Sequence, residues 1–226
     1  MVRSIKDKVV FITGASLGIG KETALLFAKE KCKLILTYYK DEKEGKEVEK
    51  QCKSLGSEVL LLKLSITEDH NIKEIVKQAI KKYGKIDILI NNAGIFIWKK
   101  LEDQEYKEIE DQIRINLEGL IKVTKESLPF VKEMILNLSS AAGLEAYAFA
   151  TTYCATKFGV RGFTQACALE FPKIKSYSIN PGTIATRMND FEGMPPIKVA
   201  EVILNVCKEK YNLENGADVN IWEYVK

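Results

Sequence analysis

The chain has a single histidine, His70, and five cysteines at 32, 52, 154, 167 and 207, with no C-x-x-C pair among them. So few soft ligands leave nothing from which to build a zinc module or most metalloenzymes, and no metal is expected. An odd cysteine count without paired spacing also excludes a disulfide scaffold and fits reduced thiols in a cytosol. Charge of one sign is missing too: 34 basic against 31 acidic side chains leave a net +3, without long runs. A nucleic-acid footprint is strongly basic and clustered, so no nucleic acid is expected as a partner. Apolar residues make up 46%, yet no uncharged stretch reaches the roughly 18 residues of a spanning helix, so no membrane is expected. The opening Met1-Val2-Arg3-Ser4-Ile5-Lys6-Asp7-Lys8 is polar and lacks the apolar centre of a secretory signal, which predicts a cytoplasmic protein. No Pro/Gly/Ser-rich linker, internal repeat or low-complexity tract divides the 226 residues. A chain this long buries roughly 70% of its unfolded surface without any staple, and one domain over 1–226 is the economical reading.

What is present is an alternation of two periods. Short β-branched or leucine-rich runs at Val9–Thr13, Lys33–Tyr39, Val59–Leu64, Ile86–Asn91, Met134–Ser139, Ser176–Asn180 and Val219–Trp222 read as strands buried on both faces. Amphipathic stretches at about 18–30, 41–55, 68–82, 103–131, 150–171 and 196–210 read as the helices that cover them. Asp41 with Glu44, and Thr67 with Asp69, supply helix-start chemistry, while Gly56 and Gly84 fall at helix stops. Such alternation predicts an α/β fold: a doubly wound parallel sheet of about seven strands, with helices on both faces.

The first strand runs straight into Thr13-Gly14-Ala15-Ser16-Leu17-Gly18-Ile19-Gly20, and a helix follows at once. Glycines there permit a tight turn, let bare backbone approach a pyrophosphate, and let the helix pack closely on the strand. The helix start offers free N–H groups and the positive end of its dipole. Two other readings of the same residues lack parts. As a G-x-S-x-G nucleophile elbow, Ser16 has no preceding strand and loop to supply a second oxyanion donor. As a P-loop, Glu22 stands where a Ser or Thr must hold magnesium. Dinucleotide binding is the reading that remains.

Farther along stand Asn91-Asn92-Ala93-Gly94, Asn116, Ser139-Ser140, Tyr153-Cys154-Ala155-Thr156-Lys157 and Pro181-Gly182-Thr183-Ile184-Ala185-Thr186. With the glycine turn, these make the sequence resemble the short-chain dehydrogenase/reductase family in its single-domain, Rossmann-type form, from about Lys8 to about Thr186. Tyr153 and Lys157 are four apart and share a helix face. A lysine cation one turn away is expected to favour the phenolate and bring its pKa, ordinarily near roughly 10, toward the working range. The resemblance implies that Tyr153 exchanges the proton and Ser140 holds the substrate oxygen. Lys157 also binds the nicotinamide ribose, and Asn116 helps hold a proton-relay water. Ser140 is preferred to Ser139 because the family places this serine thirteen residues before the tyrosine.

The same resemblance distributes the nucleotide contacts. Gly14, Ser16, Leu17, Gly18, Ile19 and Gly20 form the phosphate turn; Asn92, Ala93 and Gly94 approach the adenosine; Asn91 braces the sheet. Pro181, Gly182, Ile184 and Thr186 belong to a loop over the nicotinamide, with Ile184 near the carboxamide and Thr186 near the phosphates. Tyr38 occupies the position at the end of strand two where an acidic residue would repel a 2′-phosphate, and Tyr39 adjoins it. Lys40 is free to meet a phosphate, and Asp41 is read as the cap of the next helix. NADP is therefore the expected cofactor, with NAD the alternative, although Leu17 stands where many NADP-using relatives carry a basic residue. Ser65, beside Ile66, replaces the aspartate that commonly faces the adenine.

The implied activity is an oxidoreductase that moves hydride between NADP(H) and a carbonyl or secondary alcohol. The specific alternative is a 3-oxoacyl-carrier-protein reductase, for which Arg161 and Arg187 are the candidate basic patch. A non-catalytic dinucleotide-binding sensor is the alternative of another class. Residues 187–196 are expected to form a short substrate lid with apolar Met and Phe toward the ligand, and Ala146–Ala150 a substrate wall. Cys154 is expected to act as a small apolar group and His70 to stand in solvent. The helices near 103–131 and 150–171 commonly pair subunits in the family, which implies a homodimer or homotetramer.

Overall fold

A computed structural model describes residues 2–225; Met1 and Lys226, the ends of the expected unit 1–226, lie outside the described residues. Seven parallel strands form one sheet: β1 (Val9–Ile12), β2 (Lys33–Tyr38), β3 (Val59–Lys63), β4 (Ile86–Asn91), β5 (Val131–Leu138), β6 (Lys175–Asn180) and β7 (Asp218–Asn220). Their order is β3-β2-β1-β4-β5-β6-β7, the doubly wound arrangement, and the direction of winding reverses between β1 and β4. A crevice opens at that reversal, at the carboxyl ends of the strands.

Alternation along the strands splits the core in two, because successive side chains point to opposite faces. Val10, Ile12, Leu34, Leu36, Ile88 and Ile90 enter one apolar cluster with Phe27 of α1 (Gly18–Lys29), Val48 of α2 (Glu42–Ser54) and Val199 of α7 (Pro196–Cys207). Phe11, Ile35, Leu89 and Ile135 enter the other, against Ile72 and Ile75 of α3 (Asp69–Tyr83) and Val123 of α5 (Leu120–Ser127). Among the described residues no helix is long and apolar enough to cross a membrane.

Three local expectations are corrected. Strand β5 starts at Val131, not Met134. Lys132 and Glu133 hide its beginning in the sequence, but Arg3 and Lys8 pair with Glu133 and make a carboxylate tolerable there. The stretch 103–131 is not one helix. A 3₁₀ turn at Leu101–Asp103 precedes α4 (Tyr106–Ile113), a π-helical segment follows at Arg114–Gly119, then α5, and a 3₁₀ turn at Leu128–Phe130 containing Pro129. The last strand is Asp218–Asn220, not Val219–Trp222, because Asn220 begins the short helix α8 (Ile221–Tyr224) and its amide donates to Glu223 at 2.9 Å.

Candidate active site

The turn after β1 is fixed by hydroxyl and amide side chains that the glycine pattern does not reveal. Thr13 Oγ1 accepts from the backbone N–H of Asn92 at 3.0 Å and of Ala93 at 3.1 Å. In return Asn92 Nδ2 donates to the carbonyls of Thr13 and Gly14, both at 2.9 Å. Thr37 accepts the Gly14 N–H at 3.2 Å through its hydroxyl and the Ala15 N–H at 2.7 Å through its carbonyl. Gly14 holds φ +64°, which disfavours an L side chain. A Cβ on Gly20 would overlap the Gly14 carbonyl oxygen and lie 2.5 Å from Asn92 Nδ2. Helix α1 therefore starts pressed against the turn, with no side-chain cap and no acidic residue in its first turn. Uncapped N–H groups at a helix start, a backbone cradle and no competing carboxylate fit a dinucleotide pyrophosphate. Ser16 is buried, and Leu17, Gly18 and Ile19 are half-buried around this cradle. Thr186 closes it from the far side: a side chain on Gly18 would meet Thr186 Cγ2 at 3.1 Å.

Asn91 braces the sheet, as read from the sequence: its Nδ2 donates to Thr124 Oγ1 at 2.9 Å and Asn137 Oδ1 at 2.8 Å. Gly94 leads toward the reacting cluster, since a side chain there would meet Asn116 Oδ1 at 3.2 Å and Lys157 Nζ at 3.8 Å. At the end of β2, Tyr38 packs on Gly45 of α2, while Tyr39 is exposed with Lys40 Nζ 5.6 Å from its ring centre. Asp41 does not cap α2 with its side chain; it pairs with Arg187 at 2.9 Å, across the crevice. Ser65 donates its N–H to Asn71 Oδ1 at 2.6 Å, and its hydroxyl lies 3.5 Å from Thr67 Oγ1. Ile66 is buried against the π-helical segment, where a side chain on Gly119 would meet it at 2.7 Å.

Helix α6 (Thr151–Glu170) carries Tyr153 and Lys157 one turn apart. Lys157 is only 5% exposed, and its ammonium donates to the Leu138 carbonyl at 2.8 Å from a point 5.5 Å from the Tyr153 ring centre. Burial alone holds it down to about 8. The Ser140 side chain lowers the pKa of the Tyr153 phenol, but burial outweighs this and pushes the phenol up to about 12. Burial therefore outweighs the lowering expected from its lysine. The ammonium spends a hydrogen bond on a strand carbonyl and is itself destabilised by burial, so the phenol keeps its proton at neutral pH. Ser140 follows β5 in extended backbone, with its Oγ accepting the Ala142 N–H at 3.1 Å. Ser139 turns away and donates to the Lys157 carbonyl at 2.9 Å.

Asn116 sits in the π-helical segment and is 1% exposed. Its Oδ1 accepts the Ile95 N–H at 2.8 Å, and its Nδ2 donates to the Ile95 carbonyl at 2.9 Å and to Thr156 Oγ1 at 3.3 Å. The side chain thereby ties the π-helical segment to the 94–95 loop and to α6. Cys154 is buried and accepts the Tyr147 N–H at 3.4 Å, and His70 is exposed in the first turn of α3. The Pro181 carbonyl accepts from Ala141 N–H at 2.8 Å, which joins the loop after β6 to the turn after Ser140. Gly182 is open to solvent, whereas Ile184 is buried in the core and its backbone forms an isolated β-bridge with Met194. The segment 187–196 folds back on itself, with Met194 N–H donating to the Thr183 carbonyl at 3.0 Å and Ala185 N–H to the Met194 carbonyl at 2.9 Å.

Sequence reasoning missed Thr13 and Thr37, the π-helical segment, the Asp41–Arg187 pair, and two aromatic residues beside the cluster, Phe96 and Trp98. Phe96 packs edge-on against Tyr153 at 4.7 Å between ring centres. Its position two residues after Gly94 was the available signal.

Residues 8–194 match the protein family described as short chain dehydrogenase. An uncharacterized oxidoreductase of Listeria monocytogenes is 33% identical, over 98% of this chain and 96% of its own length. The 3-oxoacyl-[acyl-carrier-protein] reductase FabG of Thermotoga maritima is 32% identical, over 96% and 97%. A short chain dehydrogenase from Burkholderia cenocepacia, solved in complex with NADP, shares the fold at a TM-score of 0.91, 96% and 97% coverage and 23% identity.

Proposed function

Because the chain belongs to the short-chain dehydrogenase family and is an NAD(P)-dependent oxidoreductase, we propose that it reduces a ketone to a secondary alcohol with NADPH, Tyr153 giving the proton. A nicotinamide dinucleotide bound in the crevice supplies the hydride. As the C–H bond forms at the carbonyl carbon, the C=O π bond breaks toward oxygen, and Tyr153 transfers its phenolic proton to that oxygen. The Ser140 hydroxyl orients the same oxygen. Lys157 holds a positive charge beside the phenol, which favours the phenolate left after transfer. Asn116 is a positioning residue: through Ile95 it fixes the loop that ends beside Lys157.

The observation that carries this reading is Tyr153 one helical turn from the buried Lys157 ammonium, which lies 5.5 Å from its ring centre and is held by the Leu138 carbonyl at 2.8 Å. The NADP preference is supported by the missing carboxylate at Tyr38 and by Arg187, which neutralises Asp41. A second reading, reduction of a 3-oxoacyl group on carrier protein, is supported by the Thermotoga relative. Against it, both candidate arginines are paired, Arg161 with Asp218 at 2.7 Å and Arg187 with Asp41, so neither offers a free basic patch. The exposed apolar Tyr106, Ile113, Phe158 and Leu169 on α4 and α6 support pairing of subunits through those helices.

Tyr153→Phe is the direct test, with ketone reduction followed by nicotinamide absorbance. Removing a general acid lowers kcat by on the order of 10²–10⁴. NADPH affinity, read by nucleotide fluorescence, stays within a factor of about three, since no binding group is lost. A variant that turns over at the wild-type rate overturns the assignment.

A further inference from the structure

The reaction leaves one set of side chains without a part. A row of aromatic rings begins on Tyr153 and runs out to solvent. Phe96 meets Tyr153 at 4.7 Å and 68°, Trp98 meets Phe96 at 5.8 Å and 56°, and Phe149 meets Trp98 at 5.8 Å and 34°. Trp98 is 59% exposed and Phe149 42%. Two large apolar rings held together in water at a crevice mouth mark a surface that meets an apolar ligand.

The row is held in place rather than left loose. The Lys99 N–H donates to the Phe149 carbonyl at 2.8 Å, tying the segment after Gly94 to the segment before α6. Phe149 has φ +64°, a strained conformation for a bulky residue, and it keeps the ring in the row. Behind the rings lies a small apolar cluster of Ala142, Ala150 and Cys154. Nearby polar groups are paired among themselves: Lys99 with Glu108 at 3.0 Å, and Gln104 with Thr152 at 2.7 Å and with the Lys99 carbonyl at 3.0 Å.

We propose that this row selects the substrate, and that the substrate is a ketone carried on a flat aromatic ring system, its ring stacked along Trp98 and Phe149 and its oxygen at Tyr153 and Ser140. The proposal rests on the oxidoreductase reading above and adds the substrate class. Tilted and offset rings attract an aromatic guest through quadrupole contacts beyond simple area burial, which a saturated guest of the same outline does not gain. An aliphatic chain gains only the area term.

The test compares 2-acetylnaphthalene with its saturated decalin counterpart on wild type, Trp98→Ala and Trp98→Phe. Wild type is expected to prefer the naphthyl ketone by up to about tenfold in kcat/KM, the scale of one aromatic contact beyond the area that both guests bury. Trp98→Ala is expected to erase that preference through KM with kcat little changed, and Trp98→Phe to keep most of it. Equal kcat/KM for the two ketones, or a preference that survives Trp98→Ala, overturns the proposal. So does faster turnover of an acetoacetyl thioester than of either ketone. Trp98 and Trp222 are the two tryptophans of the chain, so Trp222→Phe makes Trp98 a single reporter. If no ketone is turned over with either cofactor, the oxidoreductase reading fails. In that event saturable quenching of Trp98 by 2-acetylnaphthalene, absent with the decalin ketone, still upholds the aromatic wall, and no saturable quenching removes it.

Discussion

Around Thr13–Gly20 the chain keeps its shape with backbone groups: Thr13 and Asn92 exchange four hydrogen bonds with main-chain atoms, and glycines stand where a Cβ has no room. Across the crevice the construction is reversed. Phe149, Asp190 and Phe191 carry side chains at positive φ, and Trp98, Phe149, Met188 and Phe191 are exposed. Where main-chain amides must meet an anion, the residue type is dictated by the space a Cβ would take. Where side chains meet an apolar substrate, many residue types serve, and strain is tolerated to aim them.

The sharpest way to break that contrast is a pair of alanine substitutions. Gly20→Ala forces a Cβ onto the Gly14 carbonyl and Asn92, and overpacking of this kind costs about 1–3 kcal/mol. The midpoint of thermal unfolding is expected to fall by several degrees and NADPH binding to be lost. Gly182→Ala, across the crevice, has open space around it and is expected to leave the unfolding midpoint unchanged. If both variants behave alike, the division between a backbone-built and a side-chain-built half is wrong.

Lys157 lies on the seam between the halves, and pH probes it. Burial lowers its pKa to about 8 from 10.5, so between those values the unfolded chain holds the proton more tightly than the native one. Stability gained from this group accordingly rises as pH climbs from 8 toward 10.5, by at most about 1.4 kcal/mol per pH unit. Tyr153 acts in the opposite sense: its pKa is raised to about 12 from 10.0, so its contribution is present below pH 10 and is lost from there toward 12. The clean window is pH 8 to 10. Urea unfolding of wild type, relative to Lys157→Met, should show stability rising across it. A flat difference would mean that the ammonium is not buried.

The smallest effect sharpens the boundary at the end of β2. Arg187 and Asp41 form a pair at the surface, worth no more than about 1 kcal/mol, so Arg187→Ala should leave the unfolding midpoint within about four degrees. Its signature is in the cofactor: with Asp41 no longer neutralised, the dissociation constant for NADPH should rise several-fold while that for NADH stays put. Equal changes for both would remove Arg187 from the preference.

Much of this was legible beforehand. Strands and helices were placed within a few residues wherever period and charge agreed, as in β2 or α3. The reading failed at Val131–Glu133, where a strand carries Lys132 and Glu133. It failed again at Arg114–Gly119, where a π-helical segment hides inside an unbroken helical pattern. Helix-start chemistry at Asp41 misled because the carboxylate had a better partner 146 positions away. The motif residues were brought to one crevice, but the roles expected of Asn116, Ile184 and Lys157 depended on contacts no spacing encodes. Those contacts join Asn116 to Ile95, Ile184 to the core, and Lys157 to the Leu138 carbonyl.

By itself the sequence determined the parallel sheet and the crevice, because alternating burial and glycine at forced positions act over a few neighbouring residues. The protonation of Tyr153, the pairing of Asp41 with Arg187 and the aromatic row from Phe96 to Phe149 were decided only by the tertiary structure. Desolvation, ion pairing and ring contacts depend on which distant segments are brought within a few ångströms, and that is a property of the folded chain.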